Sequence, residues 1–195
     1  MHAVTSLILG TRNPYKVREI ARLLESAGIS VEALPGVVEL PPELADSFAG
    51  NALPKARAAT QGTGRPAIAD DSGIEADALG GGPGVRSARY AGPHATDAQN
   101  LHKLLAEAPA GSRLRYVCAL AYVDPASGEE QVFFGYCLGR LAAEPRGSGG
   151  FGYDPAFLPD RASDGRTMAE LSDPEKDAIS HRGEAVRALT AWLAR

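Results

Sequence analysis

The stretch Ser6-Leu7-Ile8-Leu9-Gly10-Thr11-Arg12-Asn13-Pro14 gives the clearest indication of the fold. Its apolar first half is typical of a short strand that is covered on both faces. Asn13 is a preferred N-cap residue, and Pro14 suits the first helical position, where a missing N–H costs no hydrogen bond. The stretch therefore predicts a strand, a tight turn and a helix, which is a common opening of an α/β protein.

The residues that follow extend this pattern along the chain. Apolar side chains at helical spacing run from Val17 to Leu24, and Gly28 is a typical helix stop. Further patterns predict, in chain order, a strand near 30–34, a helix from Asp46 or Ser47, a short strand over 67–69, an ordered loop over 72–93, a helix over 96–107, strands over 114–122 and 131–141, and one helix after Ser172. Pro54 either interrupts the second helix or marks a later start. Strand–helix alternation followed by a hairpin favours a mixed α/β sheet flanked by helices.

Composition narrows the class of protein. The 195 residues include 24 Asp and Glu against 20 Lys and Arg, a net charge of −4, which argues against a nucleic-acid-binding surface. No apolar run approaches the roughly 20 residues that span a bilayer, and the run Ala3–Gly10 lacks the basic start of a signal peptide. Cys118 and Cys137 are too few for a disulfide framework and fit no zinc motif. We expect a single domain over residues 1–195, two-lobed at most, in the cytoplasm and without membrane contact.

The turn Thr11-Arg12-Asn13-Pro14-Tyr15-Lys16 is a candidate anion site. Backbone N–H groups and the positive end of the helix dipole attract anions at a helix N-terminus. Lys16 adds a full positive charge one turn into the helix, which suits a phosphate group. The turn lacks the glycine spacing of a P-loop, so an ordinary helix cap is the alternative.

The run Ala69-Asp70-Asp71-Ser72-Gly73 is a candidate metal site. We expect the two carboxylates at the end of a strand, where their oxygens could bind Mg²⁺. Adjacent strand residues point to opposite faces, so one carboxylate could reach the metal while the other orients the chain. A surface turn is the alternative, since these residue types favour turns.

Two further clusters carry groups suited to a flat, polar ligand. Gly149-Gly150-Phe151-Gly152-Tyr153-Asp154-Pro155 places glycines beside aromatic rings, which allows close backbone approach and stacking, although a structural turn is equally compatible. Lys176-Asp177-Ala178-Ile179-Ser180-His181-Arg182 gathers hydrogen-bond donors near the predicted start of the last helix. Cations there oppose the helix dipole, and this local conflict indicates a functional role.

Five short motifs together resemble the noncanonical purine nucleoside triphosphate pyrophosphatase family, also called the inosine triphosphatase or Ham1-like family. The motifs occur in order and span nearly the whole chain: Thr11-x-Asn13-x-x-Lys16, Ala69-Asp70-Asp71-Ser72-Gly73, Ser87-Ala88-Arg89-Tyr90, Gly150-Phe151-Gly152-Tyr153-Asp154 and Ser180-His181-Arg182. The resemblance implies an elongated mixed sheet with two lobes around a central nucleotide cleft, and a homodimer. It also implies Mg²⁺-dependent hydrolysis of ITP, dITP or XTP to the monophosphate and pyrophosphate, which cleanses the nucleotide pool.

The resemblance further implies roles for individual residues. Asp71 would act as general base and bind Mg²⁺ together with Glu43 and Asp70, and Lys16 would stabilise the charge on the leaving pyrophosphate. Phosphate contacts are implied for Thr11, Arg12, Asn13, Pro14, Tyr15 and Lys16. Ser72 would touch the nucleotide, and the implied base pocket consists of Phe151, Gly152, Tyr153, Asp154, Lys176, His181 and Arg182.

The chain departs from the family pattern at two positions. Arg12 stands where members often carry Gly and offers an additional phosphate contact. Gly50 stands where members frequently carry Glu, which removes a carboxylate and shifts metal binding onto Glu43, Asp70 and Asp71.

Base preference and alternative functions follow from the same residues. Donors in the His181-Arg182 run would satisfy the 6-keto oxygen of hypoxanthine or xanthine, whereas the amino group of adenine would leave donor facing donor.

A Maf-like pyrophosphatase is one alternative function, which the Ser180-His181-Arg182 run disfavours. A non-catalytic nucleotide-binding regulator is another, which the retained Asp70-Asp71 pair and Lys16 disfavour.

Overall fold

Six strands form a mixed sheet in the computed structural model, which describes residues 6–195. They are β1 (Ser6–Leu9), β2 (Ser30–Ala33), β3 (Ala67–Ala76), β4 (Arg113–Val123), β5 (Glu130–Leu141) and β6 (Phe157–Pro159), in the order β2-β1-β3-β4-β5-β6. Strand β1 is parallel to β2 and β3, whereas β5 and β6 are antiparallel. The predicted mixed α/β sheet is confirmed. The part of the predicted apolar run before Ser6 lies outside the described residues.

The helices begin where the sequence provides caps. They are α1 (Pro14–Glu25), α2 (Phe48–Thr63), α3 (Asp97–Glu107), α4 (Asp173–Ile179) and α5 (His181–Leu193). The Asn13 side chain accepts hydrogen bonds from the first amides of α1, and Ser47 does the same for α2. Thr96 and Gln99 form a capping box at α3. None of these helices is long and apolar enough to cross a membrane.

Strand β1 is covered on both faces, as its apolar run predicts. Leu7 and Leu9 pack in a core cluster with Ile20 of α1, while Ile8 packs in another cluster with Leu34. All five side chains are less than 5% exposed. Complete burial of one such side chain is worth roughly 1.5–3 kcal/mol, so this packing fixes the turn that follows β1.

The chain divides into two compact units. The first contains the described residues up to Asp71 together with 118–135 and 182–195, and the second contains 72–117 and 136–181. Strands β3, β4 and β5 therefore each contribute residues to both units. The core of the second unit includes Ile74, Leu104, Tyr116, Leu141, Phe157 and Met168.

Strand β3 is longer than the sequence indicates, and this corrects the placement of the paired aspartates. It runs through Asp70 and Asp71 as far as Ala76, so neither aspartate lies at a strand end or in a turn. The remainder of the predicted loop contains short 3₁₀ turns at Asp77–Leu79 and Gly84–Arg89. Turn-forming residue types remain in the strand because long-range partners satisfy both carboxylates, as described below.

The last predicted helix is in fact two helices. Ser180 has extended backbone, with φ −71° and ψ 155°, and its N–H donates to the carbonyl of Lys176 to end α4. Ile179 packs against the core of the second unit, whereas Val186 and Leu189 belong to the core of the first. The apparent single apolar stripe therefore serves two cores, and the donor run from Lys176 to Arg182 spans the break between the helices.

Three smaller differences between the predicted and the observed elements have local causes. Pro54 lies inside an uninterrupted α2, so neither predicted alternative occurs, although its missing N–H removes one helical hydrogen bond. Helix α1 ends at Glu25, before Gly28, with Ser26 as its C-cap. Strand β6 was not predicted, because its three residues are too few to show alternation.

Candidate active site

The turn between β1 and α1 places Lys16 beside a buried carboxylate. Asn13 Oδ1 accepts from the amides of Tyr15 at 2.9 Å and Lys16 at 3.3 Å, and the Asn13 N–H donates to Thr11 Oγ1 at 3.2 Å. The side chain of Lys16, in the first turn of α1, extends to β3, where its Nζ lies 2.9 Å from Asp70 Oδ2. The first predicted cluster is therefore an ordered helix N-terminus with its lysine held by the second cluster.

Asp70 is fully buried and surrounded by cations. Besides Lys16, Arg182 Nε lies 3.4 Å from Asp70 Oδ2, and Arg182 Nη1 donates to Glu19 Oε2 at 2.8 Å. Burial opposes the charge on Asp70, but the positive charges of Lys16, Arg182 and Lys55 outweigh it and hold the pKa of this carboxyl well below its ordinary value. Asp70 is thus a permanent anion that anchors Lys16 and Arg182.

Asp71 has a contrasting environment, consistent with the alternation of side chains along β3. Its Oδ2 accepts from Asn51 Nδ2 at 2.9 Å. Burial raises its pKa above the ordinary aspartate value, and the negative charge of Glu43 acts in the same direction, against the hydrogen bond from Asn51 and the charges of Lys16 and Lys55. A carboxylate with a raised pKa is a better proton acceptor near neutral pH.

Lys55 and Asn51 of α2 also belong to the site, although no role was predicted for either residue. Lys55 Nζ donates to Glu43 Oε1 at 2.5 Å and to the Asp70 carbonyl at 2.6 Å, and its side chain is buried. The amide of Asn51 holds Asp71 and also accepts from the Ala45 N–H at 2.9 Å. Their spacing of four residues puts them on one helix face, a signal that was present in the sequence.

The two departures from the family pattern have structural reasons. The guanidinium of Arg12 donates to the carbonyls of Leu34, Pro35 and Val38 at 2.7, 2.7 and 2.9 Å. The Arg12 guanidinium thus lies against the segment that follows β2 and links this segment to the turn before α1. At Gly50 a Cβ would come within 2.8 Å of the Ala45 Cβ and of Ser47 Oγ, so the close packing of the α2 cap favours glycine there.

In the second unit, Asp154 organises the glycine-aromatic cluster. Its Oδ2 accepts from Lys176 Nζ at 2.6 Å and from the Phe151 N–H at 2.9 Å, and its Oδ1 accepts from Tyr116 at 3.0 Å. A side chain at Gly150 would collide with this carboxylate, and its φ of +68° also favours glycine. The Lys176 ammonium lies 5.3 Å from the centre of the Phe151 ring.

Other residues of this cluster are fixed by the same unit. The Tyr153 hydroxyl donates to the Ser87 carbonyl at 2.7 Å, and burial raises the pKa of this phenol. The Gly152 N–H donates to Asp97 Oδ2 at 3.0 Å. Ser72 is half-buried in β3.

The predicted site residues therefore form two sets, one in each unit. The first unit brings together the turn 11–16, Glu43, Asp70, Asp71 and Arg182. The second unit brings together Phe151, Asp154 and Lys176, with Tyr153 and His181 in the same unit. Arg182 lies with the carboxylates of the first set, and its predicted base contact stays a prediction.

The three predicted metal ligands lie in different electrostatic surroundings. Among residues 6–195, no group of three or more His, Cys, Asp or Glu side chains is placed to hold a metal ion. Glu43 and Asp71 interact through their like charges, whereas the Asp70 carboxylate faces Lys16 and Arg182. The set Glu43, Asp70 and Asp71 is therefore not preformed as a triad, and Glu43 also accepts from Lys55 at 2.5 Å.

Comparisons with known proteins show which sequences and solved structures the chain resembles. Residues 7–192 match the model of the Ham1 family. The chain is 47% identical to the dITP/XTP pyrophosphatase of Cutibacterium acnes, with 95% of each chain covered, and 50% identical to that of Symbiobacterium thermophilum, with 92% of this chain and 90% of the relative covered. Among solved structures, a HAM1 protein from Coxiella burnetii superposes with a TM-score of 0.84 at 38% identity, covering 97% of this chain and 98% of that one. A nucleoside-triphosphatase / dITP/XTP pyrophosphatase from Mycobacterium abscessus superposes with a TM-score of 0.72 at 45% identity, covering 97% of this chain and all of that one.

Proposed function

Because the chain belongs to the Ham1 family, we propose that it is a nucleoside-triphosphate pyrophosphatase that hydrolyses the noncanonical purine triphosphates dITP, ITP and XTP. The products are the nucleoside monophosphate and pyrophosphate, and the reaction removes deaminated purines from the nucleotide pool. The observation that carries this proposal is the contrast between the neighbours Asp70 and Asp71. The Asp70 carboxylate faces Lys16 at 2.9 Å and Arg182 at 3.4 Å, while the Asp71 carboxylate accepts from the neutral amide of Asn51 at 2.9 Å.

Asp71 is suited to activate the attacking water. In the proposed step a water oxygen bonds to the α-phosphorus, its proton passes to Asp71, and the bond to the β-phosphate oxygen breaks. Asn51 fixes the carboxylate by its 2.9 Å hydrogen bond, so the accepting oxygen is held in one orientation. General-base catalysis of this kind contributes typically about 10²–10⁴ in rate.

Lys16 is suited to bind the triphosphate. Lys16 lies in the first turn of α1, where the helix dipole also favours an anion. Asp70 holds the ammonium in place, and Arg182 shares the negative charge of Asp70. Charge that develops on the leaving pyrophosphate therefore meets a positioned cation, an effect commonly worth several kcal/mol, roughly 2.7–4 for one donor.

Mg²⁺ fits the residues Glu43 and Asp71 best. Burial raises the pKa of Asp71 and the negative charge of Glu43 adds to this, and a cation between carboxylates relieves such repulsion. Mg²⁺ usually takes one or two carboxylates and completes its shell with waters and substrate phosphates, so a third protein ligand is not required. When bound, Mg²⁺ supplies positive charge that offsets the charge of the phosphate oxygens.

The second unit supplies groups suited to a purine base. The Phe151 ring offers a stacking surface, and Lys176 and His181 offer donors to a 6-keto oxygen. Adenine presents an amino group at that position, so ATP would leave buried donors unpaired, at about 1–3 kcal/mol each. We therefore propose that these groups select hypoxanthine and xanthine over adenine.

A panel of purine triphosphates tests the proposal. With Mg²⁺ present, dITP, ITP and XTP should release pyrophosphate much faster than ATP or GTP. Release of orthophosphate would indicate a phosphatase instead, and nucleotide binding without turnover across the panel would indicate a regulator. Omission of Mg²⁺ with a chelator should abolish turnover of every substrate.

We also propose that the protein acts as a homodimer in the cytoplasm. The dimer and the location both rest on the family resemblance. Light scattering on the purified protein tests the dimer, and cell fractionation tests the location.

A further inference from the structure

Tyr116 of β4 lies against two groups of the glycine-aromatic cluster. Its hydroxyl donates to Asp154 Oδ1 at 3.0 Å. Its ring stacks on the imidazole of His181, with 4.6 Å between ring centroids and 7° between planes. The Tyr116 ring also contacts Phe157, with 4.5 Å between ring centroids and 40° between planes. Tyr116 is itself buried, so its position is set by the core of the second unit.

The hydroxyl completes a set of donors around Asp154. Oδ2 of Asp154 accepts from Lys176 and from the Phe151 N–H, while Oδ1 accepts from Tyr116. Both oxygens are thereby fixed, and the carboxylate plane cannot turn without breaking one of these bonds. Hydrogen bonds to a charged group inside a protein are among the stronger ones, because the surroundings screen them weakly.

The fixed Asp154 carboxylate in turn positions Lys176 and Phe151. The Lys176 side chain is almost completely buried, and its ammonium is held 2.6 Å from Asp154 and 5.3 Å from the Phe151 ring centre. A carboxylate that can rotate would hold neither this ammonium nor the Phe151 amide in one place. The hydroxyl of Tyr116, as the donor to the second carboxylate oxygen, therefore contributes to the positions of both groups.

We propose that Tyr116 is a positioning residue for base recognition. It fixes Lys176 and Phe151 through Asp154, and it fixes His181 through ring stacking. The class of ligand that these positioned groups recognise is a 6-keto purine. This inference rests on the proposed function, and it adds a residue that determines binding and selectivity without touching the substrate.

Tyr116→Phe tests the hydroxyl alone, since the ring and its stack on His181 remain. We expect KM for ITP to rise about tenfold while kcat changes less than about threefold, which is the size of effect expected for one hydrogen bond to a charged group. Tyr116→Leu removes the stack as well and should raise KM further. Phe at this position should thus rescue part of the defect seen with Leu, and the Phe variant alone suffices if the Leu variant does not fold.

Two measurements separate positioning of the base from a general loss of structure. Inorganic tripolyphosphate lacks a base, so its inhibition constant as a competitor of ITP should be equal for the wild type and Tyr116→Phe. Tyr122→Phe is the matched control, because Tyr122 is also a buried tyrosine of β4 but packs on Trp192 in the first unit. This control should keep the wild-type KM.

The outcomes distinguish this inference from the proposed function. An active wild type with an unchanged KM in Tyr116→Phe would overturn the positioning role alone. An equal rise in KM and in the tripolyphosphate inhibition constant would also overturn it, since the phosphates would then be affected. A wild type that releases no pyrophosphate from any purine triphosphate would overturn the proposed function together with this inference.

Discussion

The ammonium of Lys16 lies 2.9 Å from the carboxylate of Asp70, and Asp70 has no exposed surface. A lysine at the start of a helix is electrostatically unfavourable, since it opposes the helix dipole. The buried anion offsets this cost and holds the lysine at the N-terminal end of the helix dipole. Asp70 therefore keeps the Lys16 ammonium in one position, which suits the proposed triphosphate ligand.

Replacement of Lys16 should affect turnover strongly. We expect Lys16→Met to lower kcat/KM for ITP by about 10²–10³, because one positioned donor to developing charge is lost. Lys16→Arg should retain part of the activity, since it keeps the charge but changes its shape. Lys103→Met is the control, because Lys103 lies on α3 near Tyr90 and far in the sequence from the turn. Wild-type kcat/KM in Lys16→Met would contradict the phosphate role.

Asp71→Asn should separate chemistry from binding. Asparagine keeps an oxygen that can accept from Asn51, so the local structure should persist, but it cannot take a proton from water. We expect kcat to fall by about 10²–10⁴ while calorimetry still detects binding of ITP. Asp77→Asn, at an exposed position in the 3₁₀ turn after β3, should behave as the wild type. Turnover near the wild-type rate in Asp71→Asn would rule out Asp71 as the base.

Local chemistry explains which parts of the fold were predictable. The Asn13 cap, the start of α1 and the two-sided burial of β1 follow from residues close together in sequence. The break at Ser180 was not predictable in this way, because the apolar stripe continues across it and only the separation of the two cores reveals it. Periodicity reports a buried face but not which core receives it.

The candidate site shows the same limit. The Asp70-Asp71 pair was found from sequence, but its place inside β3 depends on Lys16 and Arg182, which lie far away in the chain. The pattern of turn-forming residues predicted a strand end because it could not show these partners. Long-range ion pairs overrode the local preference.

Arg12 has two possible roles, a phosphate contact and a structural link, which experiment can distinguish. The sequence predicts a phosphate contact, whereas the structure directs its guanidinium to three backbone carbonyls after β2. We expect Arg12→Ala to lower the free energy of unfolding by about 1–2 kcal/mol, measured by urea titration, with KM for ITP unchanged. Arg18→Ala, at an exposed position of the adjoining helix α1, should change stability much less. A large rise in KM with unchanged stability would favour the phosphate contact instead.

Glu32 of β2 should make stability depend on pH in the acid range. Arg65 donates to both of its oxygens, at 2.6 and 2.7 Å, and Ser6 donates at 2.9 Å. The hydrogen bonds from Arg65 and Ser6 lower the pKa of Glu32 to about 2. A carboxyl with a lowered folded-state pKa stabilises the protein above its unfolded-state pKa, and the stabilisation is lost as pH falls toward the folded value.

The pH dependence can be measured with Glu32→Gln. Because Glu32 is exposed, its contribution is screened by solvent, and we expect Tm to fall only by a few degrees at pH 7. The difference from the wild type should shrink steadily between about pH 4.5 and pH 2, as the wild-type carboxyl takes up its proton. Glu144→Gln, at another exposed glutamate, is the matched control and should keep the wild-type Tm at pH 7. A Tm difference that stays constant over this range would mean that the ionised form of Glu32 contributes nothing to stability.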